Sequence, residues 1–436
     1  MKKKKKALLL AGGCAALALL LVGGWLLWLF LQPKFQETLS IPKEAKVILH
    51  FSTFTGSPRP ADKRSELYFY GEDGAVLDAY QEKEECVDRF MIGGKNATWF
   101  FFQDHTIQVD SEGTHDLPGA SGTGIFCHHK GGPPQTGHIE ELDTAYCLLN
   151  VGFGADEKDP GYLSIVRFVS MDKNYDVQIQ GYLNNLSYDR ETKQFFCFVA
   201  NGEKGLTDSG LPGYYEGEGR CCYILNYDEA SGEFVLDEDP FIFGDTPPMD
   251  NIYNTSYLCA GDRIYCLETF VPTSDSPTYD LFLTTFDIAS GKVLDTKTIL
   301  EDAPRDEELG YCVFYGLNDT QHAQRGGTLF FFANPEWVFR VQNGEQISQQ
   351  QIPFVFSDAS NIRSTDLEEP ATTFRDVAIQ VNNDGDVFVI AQYEDSTIKI
   401  FRLEDGGAYT QVWEGRRPKG LGDDMYLTSF LLIDEP

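Results

Sequence analysis

The chain has 436 residues, 42% hydrophobic and 13% aromatic with 41 glycines, which is ample material for a large core and excludes wholesale disorder. Its formal net charge is −32, and since five of its 35 basic residues are Lys2 to Lys6, the rest sets 30 bases against 67 acids. Such a surface repels phosphate backbones and anionic lipids, which argues against nucleic acid and leaves divalent cations, basic partners or neutral glycans.

The first element is apolar. Ala7 to Leu31 form a run of 25 residues without a charge. A bilayer core of ~30 Å takes about 20 apolar helical residues, so the run predicts a transmembrane signal anchor. Trp25, Trp28 and Phe30 gather at its far end, where aromatic side chains favour the interface, and Gln32-Pro33 stops the helix. The positive-inside rule then keeps residues 1–6 as a cytoplasmic tail and exports the remainder, giving a single-pass protein of the cell membrane. Two alternatives stay open. Ala11-Gly-Gly-Cys14 resembles a lipobox, with Ala11 where that pattern prefers a large aliphatic residue. A cleaved signal peptide is the other, although its apolar region is normally about 7–15 residues and no A-x-A site follows here. Ala11, Gly12, Ala15 and Ala16 suit weak self-association through the anchor. Residues 32–45 read as a linker and 46–436 as the exported domain.

From there the chain is a succession of short aromatic and β-branched runs separated by turn residues. Val47–Phe54 is a strand. Leu67–Leu77 is a strand, an E-D-G turn and a second strand. Val109-Asp-Ser-Glu-Gly113 and Phe168–Tyr175 carry similar turn chemistry. Two later stretches are near copies: Tyr227-Asp-Glu-Ala-Ser-Gly-Glu-Phe-Val-Leu-Asp237 and Phe286-Asp-Ile-Ala-Ser-Gly-Lys-Val-Leu-Asp295. Asp and Ser can hydrogen-bond loop amides and Gly supplies a positive φ, so each predicts a hairpin. Asn343-Gly344, Asn382-Asn-Asp-Gly385 and Glu404-Asp-Gly-Gly407 mark further turns, the second of them only faintly like a calcium loop. A second class of strand recurs between the hairpins: Ala145–Leu149, Phe195–Val199, Arg263–Leu267, Tyr311–Phe314 and Asp386–Ile390. Met425–Ile433 is a last strand with no hairpin after it.

Repeated four-strand units, each ending in a hairpin, are the sequence sign of an all-β β-propeller. Counting hairpins gives seven blades, with six or eight possible because 114–142 and 200–220 are loop-like. The D-x-x-[ST]-G-x turns resemble those of YVTN-type, NHL-type and quinoprotein-like propellers over most of 46–436, and the overall style resembles uncharacterised Gram-positive surface proteins. That resemblance implies a fold and no site residue, because no WD dipeptide, sialidase-type box or quinoprotein docking motif accompanies it. A C-terminal strand completing the first blade would close the ring. A string of β-sandwiches is the competing architecture, and it lacks convincing linkers.

Candidate chemistry is sparse. Cys127-His128-His129 with His138, and Glu140 nearby, is the only dense group of metal-type ligands; the donors suit Zn²⁺, but neither C-x-x-C nor H-E-x-x-H spacing is present. No other cofactor is expected, and no catalytic residue can be nominated: there is no G-x-S-x-G elbow and acids are too common for pairs to signify. Nine cysteines lie beyond the anchor, and those at 147, 197, 266 and 312 follow an aromatic residue inside apolar strands. Equivalent slots in different blades would be beyond the ~7 Å Cα limit for bridging, so they read as buried free thiols, which suits export into a reducing setting. Cys86, Cys127 and the pair Cys221-Cys222 are possible exceptions. Sequons at Asn96, Asn185, Asn254 and Asn318 fit chance.

The reading is a non-catalytic, membrane-anchored module that binds or scaffolds a cell-envelope protein or glycan. A cell-surface carbohydrate-active lyase or hydrolase is the alternative, and a sensory or assembly component working through a membrane partner is a third.

Overall fold

The computed structural model describes residues 35–433 except 54–64, 83–85, 95, 103–104, 119–135, 154–161, 171–172, 200–218, 238, 245–251, 271, 274–275, 305–313, 317–327, 334–336, 343–344, 352–378, 382–385, 393–395, 405–408 and 422–424. Among the described residues every regular element is a strand apart from one 3-10 turn at Glu140–Leu142. No helix there is long and apolar enough to cross a membrane, and Ala7 to Leu31 lie outside the described residues.

The strands fall into seven antiparallel sheets. The first contains β1 (Val47–Thr53), β2 (Ser65–Tyr70) and β3 (Val76–Glu82). The second holds β4 (Cys86–Gly93), β5 (Ala97–Phe102), β6 (His105–Asp110) and β7 (Thr114–Pro118). The third is β8 (Thr136–Ile139), β9 (Thr144–Phe153), β10 (Tyr162–Val169) and β11 (Asn174–Gln180). The fourth is β12 (Leu183–Asp189), β13 (Gln194–Val199), β14 (Arg220–Asp228) and β15 (Glu233–Leu236), with β16 (Phe241–Phe243) also on β14. The fifth is β17 (Ile252–Ala260), β18 (Arg263–Phe270), β19 (Thr278–Asp287) and β20 (Val293–Pro304). The sixth is β21 (Phe314–Gly316), β22 (Thr328–Ala333), β23 (Trp337–Gln342) and β24 (Glu345–Gln351). The seventh is β25 (Ile379–Val381), β26 (Val387–Gln392), β27 (Thr397–Leu403) and β28 (Tyr409–Arg416). Finally β29 (Met425–Leu432) returns to the first sheet and pairs with β1, from Val47↔Leu432 to Thr53↔Met425. The expected C-terminal closure is therefore present.

Apart from β29 in the first sheet and β16 on β14, the strands of each sheet follow one another as a meander in chain order. First strands pack beside first strands (β29 against β4, β4 against β8, β12 against β17, β17 against β21), so they gather inward and the last strand of each sheet lies at the rim. This is the arrangement of a β-propeller. Sheets stacked face to face bury both sides of their middle strands, which explains near-continuous apolar runs such as Ala97–Phe102, where Trp99, Phe100, Phe101 and Phe102 are all buried. One core joins Leu67 and Phe69 of the first sheet to Trp99 and Phe101 of the second and Cys147 and Ile165 of the third. Burial of each such side chain contributes about 1.5–3 kcal/mol.

The repeated D-x-A-S-G turns are hairpins between third and fourth strands. The Asp228 carboxylate accepts from the backbone N–H of Ala230 and Ser231 at 3.1 and 3.2 Å, and Asp287 accepts from that of Ser290 at 2.8 Å. Gly232 (φ 67°) and Gly291 (φ 68°) close the turns in the left-handed region. A third copy is unannounced by glycine: Asp189 accepts from the Thr192 amide and hydroxyl, at 3.2 and 2.6 Å, and Lys193 takes φ 54°. It joins a first strand to a second, so the motif encodes a turn and not a position in the sheet. Asp110 caps the Glu112 and Gly113 amides in the same spirit.

The recurring strands Ala145–Leu149, Phe195–Val199, Arg263–Leu267 and Asp386–Ile390 fall on second strands, whereas most of Tyr311–Phe314 lies outside the described residues. Only Phe314 of it is described, opening the first strand β21, and the second strand of that sheet is Thr328–Ala333. One expectation needs correction. The supposed linker belongs to the domain from Phe35 onward: Leu39 and Ala45 are buried, and Gln36 makes a parallel bridge to Tyr80 on the free edge of β3. The turns at 343–344, 382–385 and 405–407 lie outside the described residues.

A buried ion pair ties neighbouring sheets together. Arg167, fully buried on β10, donates to Asp176 of β11 through Nε at 2.9 Å and through Nη2 at 3.2 Å. Its Nη1 reaches the Phe102 carbonyl of the second sheet at 3.1 Å. Bidentate geometry and a third acceptor offset the cost of burying the charge.

Candidate functional site

Strand alternation sorts the connections onto two faces. Turns from first to second strand, and from third to fourth, lie at one end: 71–75, 111–113, 190–193, 229–232, 261–262 and 288–292 are all short. Second-to-third and sheet-to-sheet connections lie at the other end. To that second class belong 54–64, 119–135, 154–161, 200–218, 305–313 and 352–378. Only 317–327 puts a comparably long segment at the tight-turn end. Long connections on a rigid sheet scaffold are where binding residues concentrate.

Of the nominated metal group only His138 is described: Cys127, His128 and His129, between β7 and β8, lie outside the described residues. His138 is on β8, beside the tight turn that follows. Its Nε2 is 3.0 Å from Asp143 Oδ1, and its ring stacks on Trp99 at 5.0 Å and 28°. Asp143 Oδ2 accepts from Asn96 Nδ2 at 3.1 Å. Gly94 permits this stack, since a Cβ there would lie 2.6 Å from the Trp99 ring and 2.9 Å from that of His138. A carboxylate therefore already orients the buried imidazole. Among the described residues no three His, Cys, Asp or Glu side chains group as a metal site.

The same sheet continues the polar chain outward. Trp99 Nε1 donates to Gln108 Oε1 at 3.2 Å, and Gln108 Nε2 donates to Asp110 Oδ2 at 3.0 Å. Burial raises the Asp110 carboxyl, but Gln108, the Glu112 amide, His115 and the Gly113 amide together hold it below the usual range.

Sequence reading missed a second feature, on the inner strands. Asn185 Oδ1, Ser187 Oγ and Asp189 Oδ1 of β12 accept from the backbone N–H of Tyr257 and Cys259 on β17 and of Gly261 just after it, at 2.5, 2.8 and 3.2 Å. Each pair is 72 residues apart, so three alternate side chains form a ladder along the inner edge of the next sheet. An innermost strand has amides that no further strand can pair, and these acceptors satisfy them. The alternating N-x-S-x-D of Asn185–Asp189 was the available signal. Asn185 is buried, so this sequon is structural in the folded domain.

Six described cysteines, at 147, 197, 221, 222, 259 and 266, are buried free thiols. Cys147, Cys197 and Cys266 occupy second strands of three different sheets, which keeps them apart. Burial pushes the thiols of Cys197, Cys222, Cys259 and Cys266 well above the usual range, and that of Cys221 up to about 11. None of these has the lowered pKa of a nucleophile. Cys86, Cys127 and Cys312 have no described side chain.

No protein-family model matches the chain, and no curated protein matches it. Solved structures do. The β-propeller domain of the Trilobed protease from Pyrococcus furiosus is similar at 8% identity and TM-score 0.38, over 81% of this chain and 82% of that one. A hypothetical selenium-binding protein from Sulfolobus tokodaii is similar at 8% identity and TM-score 0.42, over 85% and 92%. A Synechocystis apocarotenoid oxygenase is similar at 11% identity and TM-score 0.41, over 92% and 96%.

Proposed function

We propose that the seven sheets are seven blades of one closed propeller, carried on a transmembrane anchor at Ala7 to Leu31, and that the propeller binds a cell-envelope protein or neutral glycan. The observation that supports this most is the segregation of connections: 54–64, 119–135, 154–161, 200–218, 305–313 and 352–378 all join strand ends of one face, while the other is mostly tight turns. A large acidic excess suits neutral or basic ligands. The described polar clusters serve the scaffold, since each acceptor named above is spent on a donor within it. Cys127, His128 and His129 belong to the 119–135 connection, and a metal held by them would act as an accessory of the ligand site.

The test is binding by the full chain in phosphatidylcholine nanodiscs to glycan arrays and purified envelope proteins. Replacing 200–218 or 119–135 by a short Gly/Ser connection is expected to weaken binding at least about tenfold, ~1.4 kcal/mol. Replacing the 229–232 turn by Asn-Gly is expected to leave it unchanged. Binding that ignores the long connections sinks the assignment of the face, and turnover of a bound glycan moves the protein to the enzyme reading.

A further inference from the structure

We infer that the rim of the first sheet, β3 with the adjoining end of β28, is the surface on which the propeller rests against the lipid bilayer; this builds on the anchor reading above. The chain reaches the domain at this rim. Gln36 is stapled to the free edge of β3: its backbone N–H donates to the Ala79 carbonyl at 2.8 Å and its Nε2 to Asp78 Oδ2 at 2.7 Å. Nε2 also donates to the Ser40 carbonyl at 3.1 Å, while Oε1 accepts from the Ser40 amide at 2.8 Å. Phe35 sets its ring edge-on to Tyr68 of β2, with centroids 6.4 Å apart.

Only residues 32–34 separate Phe35 from Leu31, the end of the apolar run. Four Cα steps of at most 3.3–3.6 Å reach about 14 Å, whatever the path of the spacer. Phe35, packed against the first sheet, is thus held within about 14 Å of the end of the apolar run. A propeller tethered by a long linker would be free to turn; this one is not.

Exposed apolar side chains sit where such contact would place them. Val76 (45% exposed) and Leu77 (42%) are on β3 itself. Val412 (42%) is on β28, whose Glu414 carbonyl abuts Gly74 in the β2–β3 turn. Single exposed apolar residues need no explanation, but three beside a tether of three residues do. Glu72 and Asp73 in the same turn are exposed, so a zwitterionic surface, with its ammonium groups outermost, fits better than an anionic one. Among the described residues the other large exposed apolar side chains, Val235, Ile242, Val293 and Leu294, belong to the fourth and fifth sheets and act as an internal control. With its rim on the membrane, the ring presents its long-connection face along the bilayer and not away from it, toward neighbours in the same membrane.

The experiment places a photo-crosslinking benzoylphenylalanine singly at Leu77, Val412, Val235 or Leu294 in the full chain, reconstituted into phosphatidylcholine vesicles. All four positions are exposed, so none of the substitutions disturbs the core. Lipid adducts read by mass spectrometry are expected at Leu77 and Val412 and absent at Val235 and Leu294. A chain that floats with the vesicles yet gives no adducts at Leu77 and Val412, or equal adducts at all four, overturns the inference and leaves the anchor intact. A chain that does not float overturns the anchor and this inference together.

Discussion

His50 shows how one side chain couples the closure of the fold to pH. It is buried on β1, opposite Ser429 of β29, with Ser429 Oγ 3.3 Å from its Nδ1 and a β-bulge beside it. Burial holds its pKa well below the ordinary value. The unfolded chain takes up a proton near pH 6.5 while the folded one does not. Stability is therefore full above about pH 6.5 and falls as pH drops toward the folded value, by up to about 1.4 kcal/mol per pH unit. Calorimetry between about pH 7 and 5 is expected to show a steeper loss of Tm for the native chain than for His50→Gln; parallel curves would refute it. Nothing in the sequence marks His50, one polar residue in the run Val47–Thr53, because its burial is decided by β29, nearly four hundred residues away. His138 teaches the complementary lesson. Its proximity to Cys127-His128-His129 in sequence suggested a ligand, whereas folding turns its Nε2 to Asp143.

At the scale of elements, hairpins were legible and lateral contacts were not. D-x-A-S-G is local chemistry: an Asp acceptor, one or two amides and a Gly in the left-handed region all lie within five residues. The Asn185–Ser187–Asp189 ladder is not local, since its donors lie 72 residues on and belong to another sheet. Ser187→Ala removes the acceptor of the Cys259 amide in a fully buried place and is expected to cost about 1–3 kcal/mol in urea unfolding, the penalty of an unmade buried hydrogen bond. A change within a few tenths would show that water replaces the hydroxyl and that the ladder is ornamental.

For the whole molecule the decisive element is β29. It buries Met425, Leu427, Phe430 and Leu431 and is the only partner of the inner edge of β1. Losing several buried side chains at roughly 2–5 kcal/mol each is comparable to the 5–15 kcal/mol stability of a typical domain. Deleting residues 424–436 is expected to abolish cooperative thermal unfolding of the entire domain, measured by circular dichroism. A truncated chain that still melts in one sharp transition near the native Tm would mean that the sheets hold together as an open string.

The sequence by itself determined the all-β class, the repeat, the closing strand, the burial of Cys147, Cys197 and Cys266 and the apolar run ahead of the domain, because periodicity, turn chemistry and composition are written in neighbouring residues. Only the tertiary structure decided which polar residues face another sheet, that Phe35 to Ala45 pack against the domain, and that the long connections share one face. Those outcomes depend on which strand ends meet in space, and a meander of short strands brings together residues whose sequence separation carries no signal of the meeting.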